Sequence, residues 1–100
     1  MNRKKAAAHA PVAPKRTVLI IDDDKNFCSV LADDFTSMDM DVMVAHSGEE
    51  GLKSCSTHKI DIVLLDQKLP GIGGEELCQP ILQFNDQTKI IFITAYPSFN

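Results

Sequence analysis

The sequence has no tryptophan, one tyrosine and no pair of cysteines at C-x-x-C spacing. Its three cysteines (Cys28, Cys55 and Cys78) lie far apart and are odd in number. This argues against a disulfide framework or a zinc site and favours a reducing compartment. No apolar run approaches the roughly 20 residues that span a bilayer. We therefore expect a cytoplasmic protein that makes no use of a membrane.

Charge is unevenly distributed along the 100 residues, whose net charge is −4. Residues 1–16 hold five of the ten basic side chains and no acid, and their two prolines interrupt helix. We expect this segment to be a flexible basic tail. Residues 17–100 keep five bases against all fourteen acids, a formal charge of −9. Such an acidic domain is suited to binding cations and is not expected to bind nucleic acid directly.

Four apolar segments alternate with segments of helical periodicity. The apolar segments are residues 17–21, 41–45, 60–65 and 89–93. Runs of this length and composition are typical of strands that are buried on both faces of a parallel sheet. The resulting order, βαβαβαβ, predicts an α/β fold with an open parallel sheet and right-handed crossovers.

The three segments between the strands predict helices. The first covers about 25–38 and buries the stripe Phe27, Val30, Leu31 and Phe35. The second begins at a capping box formed by Ser47 and Glu50 and ends near His58. The third begins after Gly73-Gly74 and turns Leu77, Ile81 and Leu82 inward, with a bend or a late start expected at Pro80.

Polar side chains follow three of the four strands. Asp22 and Asp23 follow the first, Asp66 the third and Thr94 the fourth. Sites in open α/β sheets form at the carboxyl ends of the strands, so we expect these groups to converge. Converging carboxylates repel unless one is protonated or a cation lies between them, and oxygen ligands favour Mg²⁺. The alternative is that each aspartate only forms a turn or caps a helix.

The histidines suggest no site. His9, His46 and His58 have no partner at metal-ligand spacing, and we expect them at the surface. No Ser-His-Asp or Cys-His arrangement can be argued from the sequence. The glycines at 71–74 lack the spacing of a phosphate-binding loop, which favours a plain turn.

Three segments resemble the receiver domain of two-component response regulators. They read V-L-I-I-D-D-D-K at 18–25, V-L-L-D-Q-K-L-P-G-I-G-G at 63–74 and I-I-F-I-T-A-Y at 90–96. The most specific part is Asp66-x-x-Leu69-Pro70-Gly71, and together the segments span residues 17–100. The resemblance implies a flavodoxin-like sheet with strand order 2-1-3-4 within this sequence.

The resemblance also implies a role for each site residue. Asp66 would accept a phosphoryl group from a sensor histidine kinase or a phosphotransfer protein. Asp22, Asp23, Asp66 and the backbone carbonyl of Lys68 would hold Mg²⁺, and Thr94 would hydrogen-bond the phosphoryl group. The domain would not be an enzyme, although it would assist its own phosphorylation and dephosphorylation. Its function would be to switch an output that this sequence does not contain.

The resemblance ends before the usual end of the family. Receiver domains continue with a helix, a fifth strand ending in Lys-Pro and a final helix, whereas this sequence ends at Asn100. We expect residues 17–100 to be an incomplete receiver domain from a longer regulator. Without a fifth strand, residues 89–94 would form an apolar sheet edge, and we expect self-association through it.

Two other functions are compatible with parts of the sequence. The first is a receiver-like adaptor that binds proteins and is not phosphorylated. The second is a phosphatase of the haloacid-dehalogenase type, in which Asp22 and Asp24 would form the D-x-D motif. The phosphatase leaves Asp66 and the Leu69-Pro70-Gly71 segment without a role.

Overall fold

Residues 14–93 of the protein are described by a computed structural model. Most of the expected basic tail and Thr94 lie outside these residues. Strands and helices alternate in the predicted order: β1 (Thr17–Ile21), α1 (Lys25–Ser37), β2 (Asp41–Ala45), α2 (Gly48–Thr57), β3 (Ile62–Asp66), α3 (Gly74–Phe84) and β4 (Lys89–Ile93).

The four strands form one parallel sheet in the order β2-β1-β3-β4, which confirms the predicted fold and strand order. β1 lies between β2 and β3, and its residues Val18 to Ile21 are completely buried. In the register of the sheet, Ile21 is opposite Ala45 on one side and Leu65 on the other. The residues that follow β1, β2 and β3 therefore lie side by side at the carboxyl-terminal ends of the strands.

Helices cover both faces of the sheet, which explains why the strands are continuously apolar. Leu19 and Ile21 point towards α2 and α3 and pack in one cluster with Leu77 and Ile81. Val18 and Ile20 point to the other face and pack in a second cluster with α1. None of the helices within residues 14–93 has the length and hydropathy needed to cross a membrane.

β3 begins two residues later than the apolar run predicts. Ile60 is buried, but its carbonyl accepts a hydrogen bond from the Thr88 hydroxyl at 2.7 Å. The Asp61 carboxylate accepts from the Thr17 amide at 2.8 Å, and the Asp61 amide donates to the Thr17 carbonyl. The hydrogen bonds of Ile60 and Asp61 thus close the sheet at the amino-terminal ends of its strands, and regular strand pairing starts at Ile62.

The buried faces of α1 and α3 differ from the prediction at one position each. Val30 is 60% exposed, while Cys28 is fully buried and Leu31 packs beside it. Leu82 is 37% exposed, and Cys78 packs against the core in its place. Each sheet face contacts only a narrow stripe of its helix, so a residue next to that stripe in the helical projection turns to solvent.

Pro80 does not delay the start of α3, so the expected late start is wrong. The helix begins at Gly74, with Gly73 as its N-cap and the Gly73 amide donating to the Glu76 carboxylate at 3.0 Å. Pro80 lies inside the helix, where its ring nitrogen cannot donate to the carbonyl four residues earlier. The bend stays a prediction.

Gly74 gives a test of the contact between α3 and the sheet. A Cβ at Gly74 would lie 2.8 Å from the Asp66 carbonyl oxygen and 3.1 Å from Gln67 Cα, which are backbone atoms. We expect Gly74→Ala to destabilise the fold by about 1–3 kcal/mol, measured by denaturant unfolding. Gly48→Ala is the matched control, because Gly48 is also the first residue of a helix, but a Cβ there would meet only side-chain atoms, the Leu77 methyl groups at 3.1 and 3.2 Å and Ile72 Cβ at 3.5 Å. An equal cost for both variants would contradict this reading.

The β4 edge gives a test of self-association, which stays a prediction. Within residues 14–93, β4 pairs only with β3, and Ile91 is 49% exposed. We expect concentration-dependent dimers or larger species in sedimentation and weaker association for Ile91→Lys, because a charge disfavours strand pairing at an edge. Val30→Lys is the control, since Val30 is exposed on α1. A monomer at every concentration would contradict the prediction.

Candidate functional site

Three carboxylates converge at the carboxyl-terminal ends of β1 and β3. Asp22 directly follows β1, and Asp66 is the last residue of the neighbouring β3. Among residues 14–93, Asp22, Asp23 and Asp66 form a group in which one carboxylate oxygen of each residue lies within 4.8 Å of those of the other two. The expected convergence of these aspartates is therefore present, and their spacing suits ligands of a single cation.

The three aspartates differ in their contact with solvent. Asp22 is only 3% exposed, Asp66 is half-buried and Asp23 is exposed. The group thus has a buried side formed by Asp22 and an open side formed by Asp23. Asp66 lies between these extremes, where a molecule from solvent can reach its carboxylate.

Burial raises the pKa of Asp22 above its ordinary value of 3.8. A hydrogen bond from the Asp24 amide to Asp22 Oδ1, 2.9 Å long, opposes this effect, while the charges of Asp66, Asp23 and Asp24 raise the pKa further. The fold therefore favours the ionised form of Asp22 less than water does. A donor set of three carboxylates with this surplus of negative charge fits a hard divalent cation such as Mg²⁺.

Asp24 has a structural task beside the site. Its carboxylate caps α1 by accepting a hydrogen bond from the Phe27 amide at 3.0 Å. The group of three converging carboxylates does not include Asp24. The D-x-D pair required by the phosphatase alternative is thus divided between the group of converging carboxylates and a helix cap.

The loop after β3 is shaped around Asp66. The Lys68 amide donates to Asp66 Oδ1 at 3.0 Å, and the Leu69 side chain is buried in the core. Gly71 has a φ of +82°, which only glycine adopts without strain. Gly74 then brings the start of α3 against the Asp66 backbone. The role of the Lys68 carbonyl as a metal ligand stays a prediction, and Thr94 lies outside the described residues.

His46 approaches the site, which sequence reasoning missed. It follows β2, and its Nδ1 lies 3.1 Å from the Asp22 carbonyl oxygen. The Cys28 thiol donates to the same oxygen at 3.3 Å. Burial and the nearby aspartates raise the pKa of Cys28 to about 11, so the thiol keeps its proton near neutral pH. The available signal was the strand order, which places the residue after β2 beside the residue after β1.

His46 also completes the cap of α2. Ser47 Oγ accepts from the Glu50 amide at 3.1 Å, as predicted for the capping box. The returning hydrogen bond to the Glu50 carboxylate comes from the His46 amide at 2.7 Å, one residue earlier than in the usual box. The cap therefore fixes the backbone of His46 as well as the start of the helix.

Known proteins with the same features are response regulators. The family model for the response regulator receiver domain matches residues 18–99. A probable transcriptional regulator, ycf27 of Cyanidium caldarium, is 38% identical over 78 residues, which are 78% of this chain and 31% of that protein. The chain spans about a third of the length of the curated relatives it matches.

Solved structures of response regulators have the same fold. One from Burkholderia pseudomallei, with a phosphorylated aspartic acid, calcium ion and citrate, gives a TM-score of 0.78 at 27% identity and covers 85% of this chain and 50% of that one. TrrA from Thermotoga maritima, in complex with Mg²⁺-BeF, gives 0.74 at 33% identity, with 81% and 70% covered. The chain belongs to the family of response regulator receiver domains, which serve two-component signal transduction.

Proposed function

We propose that the chain is a phosphoacceptor domain in which Asp66 receives a phosphoryl group with the help of Mg²⁺. The observation that carries the proposal is the group of three carboxylates, Asp22, Asp23 and Asp66, with oxygens within 4.8 Å of one another. These three residues, with the Lys68 carbonyl, would hold the cation. The phosphorylated aspartate of the Burkholderia protein and the Mg²⁺-BeF of TrrA support the same assignment.

The chemistry consists of a transfer between two anionic partners. A carboxylate oxygen of Asp66 forms a bond to phosphorus, while the bond from phosphorus to the donor's imidazole nitrogen breaks and its electron pair stays on that nitrogen. Bound Mg²⁺ would neutralise the negative charge that otherwise keeps the carboxylate and the phosphoryl oxygens apart. The domain is thus a substrate that assists its own modification, and not an enzyme that acts on other molecules.

The loop after β3 selects which Asp66 oxygen reacts. Oδ1 accepts the hydrogen bond from the Lys68 amide at 3.0 Å, which leaves Oδ2 free of that bond. We assign Oδ2 as the attacking oxygen for this reason. The Thr94 hydroxyl is proposed to hydrogen-bond the transferred phosphoryl group, as the family resemblance implies.

The proposed phosphoryl donor is a histidine kinase or a phosphotransfer protein. The half-buried position of Asp66 suits a donor that approaches from solvent, since the exposed Asp23 marks the open side of the site. The three free cysteines agree with a cytoplasmic location for this exchange. A second copy bound along residues 89–94 belongs to the same proposal as a further partner.

One prediction of this proposal concerns phosphoryl incorporation. We expect acetyl phosphate or a phosphohistidine donor to modify the chain once, in a Mg²⁺-dependent reaction, and Asp66→Asn to abolish the modification. The measurement is intact-mass spectrometry, followed by trapping of the acyl phosphate at Asp66. Asp24→Asn is the control, because asparagine also caps helices and Asp24 lies outside the carboxylate group.

Two results would contradict this prediction. Modification that persists in Asp66→Asn would assign the phosphoryl group to another residue. Loss of modification in Asp24→Asn, with Asp66→Asn nearly unaffected, would favour the phosphatase alternative. If the reading frame continues beyond residue 100, the longer product is tested in parallel, and both chains are expected to use Asp66.

Another prediction of this proposal concerns the charge of Asp22. The folded state holds the Asp22 proton to higher pH than the unfolded state does, so ionisation of Asp22 lowers the stability of the metal-free fold. We expect Asp22→Asn to gain stability relative to the wild type as pH rises from about 4, with a constant difference above the raised pKa. Asparagine keeps the oxygen that accepts from the Asp24 amide.

The same variant should respond less to the cation. Mg²⁺ should raise the melting temperature of the wild type and have little effect on Asp22→Asn, because binding to the folded state is what stabilises it. Asp33→Asn, on the exposed face of α1, is the matched control for loss of one negative charge. A pH-independent difference between Asp22→Asn and the wild type would refute the electrostatic explanation.

A further inference from the structure

One peptide group joins the first two proposed cation ligands. It consists of the Asp22 carbonyl and the Asp23 amide, and its planarity makes the direction of that carbonyl fix the path of the chain into Asp23. The Asp22 amide on the other side donates to the Ala45 carbonyl at 3.0 Å. The orientation of this single peptide therefore decides how the Asp22 and Asp23 side chains stand relative to each other.

The Asp22 carbonyl is held by two donors from different parts of the fold. Cys28 Sγ, on the buried side of α1, lies 3.3 Å from the oxygen, and His46 Nδ1 lies 3.1 Å from it. A carbonyl oxygen has two lone pairs and can only accept hydrogen bonds, so the two donors fill its capacity. We call this arrangement, Cys28 and His46 on the Asp22 carbonyl, the carbonyl clamp.

The clamp fixes the tautomer of His46. Because the partner of Nδ1 is an acceptor, Nδ1 must carry the hydrogen in the clamped state. The His46 backbone is itself held, since its amide donates to the Glu50 carboxylate at 2.7 Å. The backbone that carries the ring is therefore held at the start of α2 while Nδ1 contacts the Asp22 carbonyl.

The carbonyl clamp lies next to three carboxylates whose negative charges repel one another. The negative charges of Asp22, Asp23 and Asp66 repel within 4.8 Å, and this repulsion favours opening the turn after β1. A turn that opens must be closed again before both of its carboxylates can contact one cation. We propose that His46 and Cys28 are positioning residues that hold the Asp22–Asp23 peptide in the geometry that binds Mg²⁺. This inference rests on the proposed function and adds two residues to its site.

Substitutions of His46 separate the hydrogen bond from the bulk of the ring. His46→Asn places an amide N–H near the position of Nδ1 and should bind Mg²⁺ almost as tightly as the wild type. His46→Leu fills similar space without a donor and should bind about tenfold more weakly, which is the effect of losing an outer-shell partner. His58→Leu is the matched control, because His58 is an exposed histidine at the end of α2.

Cys28 offers the same comparison from the other donor. Cys28→Ser keeps a donor, whereas Cys28→Ala removes it with a small loss of volume. We expect weaker Mg²⁺ binding only for Cys28→Ala. Mg²⁺ affinity of the full chain is measured by displacement of Mn²⁺ followed by electron paramagnetic resonance, and thermal melting of each variant reports on folding separately.

The tautomer provides a readout that needs no metal and no substitution. Imidazole nitrogen NMR of the metal-free wild type should show a hydrogen on Nδ1, whereas histidine free in water favours hydrogen on Nε2. An Nδ1 that carries no hydrogen would overturn the proposal. Unchanged Mg²⁺ affinity in His46→Leu, or an equal loss of Mg²⁺ affinity in His46→Asn and His46→Leu, would also overturn it.

Failure of the proposed function gives a different result. A wild-type chain that binds no Mg²⁺ would overturn the metal site itself, and the positioning role with it. Wild-type binding that is unaffected by loss of either donor would overturn the positioning role alone and leave the metal site intact.

Discussion

Electrostatic repulsion among three neighbouring carboxylates is the constraint on which the structure at the carboxyl-terminal ends of the strands depends. Asp22, Asp23 and Asp66 each place a carboxylate oxygen within 4.8 Å of the other two, although their charges oppose this arrangement. The pairing of β1 with β3 holds them together, because a buried parallel pair cannot separate without exposing apolar side chains on both faces. The free energy of the hydrophobic core is thus used to keep like charges adjacent.

Hydrogen bonds also restrict the groups at the carboxyl-terminal ends of the strands. The Asp24 amide holds the Asp22 carboxylate, the Lys68 amide holds that of Asp66, and Cys28 and His46 reach the Asp22 carbonyl. Three of these donors lie within three residues of a strand end, and the fourth, Cys28, comes from α1. The three carboxylates are therefore largely held in place without a cation, which would reduce the reorganisation that binding one requires.

The sequence was sufficient to predict the features that depend on local composition. Apolar runs located β1 and β4, and an alternating β-branched segment located β2, at their observed bounds. The aspartates that follow β1 and end β3 were correctly expected to converge. Periodicity did not decide which of two adjacent helix faces meets the sheet, which is why Val30 and Leu82 were misassigned. His46 was missed for another reason: its contact with Asp22 depends on the register between β1 and β2.

Gly74 has a mechanical consequence for Asp66. The absence of a side chain there lets the first residue of α3 lie against the Asp66 carbonyl and Gln67 Cα, with no compressible layer of side chains between the two backbones. Packed side chains can absorb a small displacement by changing rotamer, but two backbones in contact cannot. A shift of the Asp66 main chain would therefore be passed directly to the start of α3, because no side chain lies between the two backbones to absorb it.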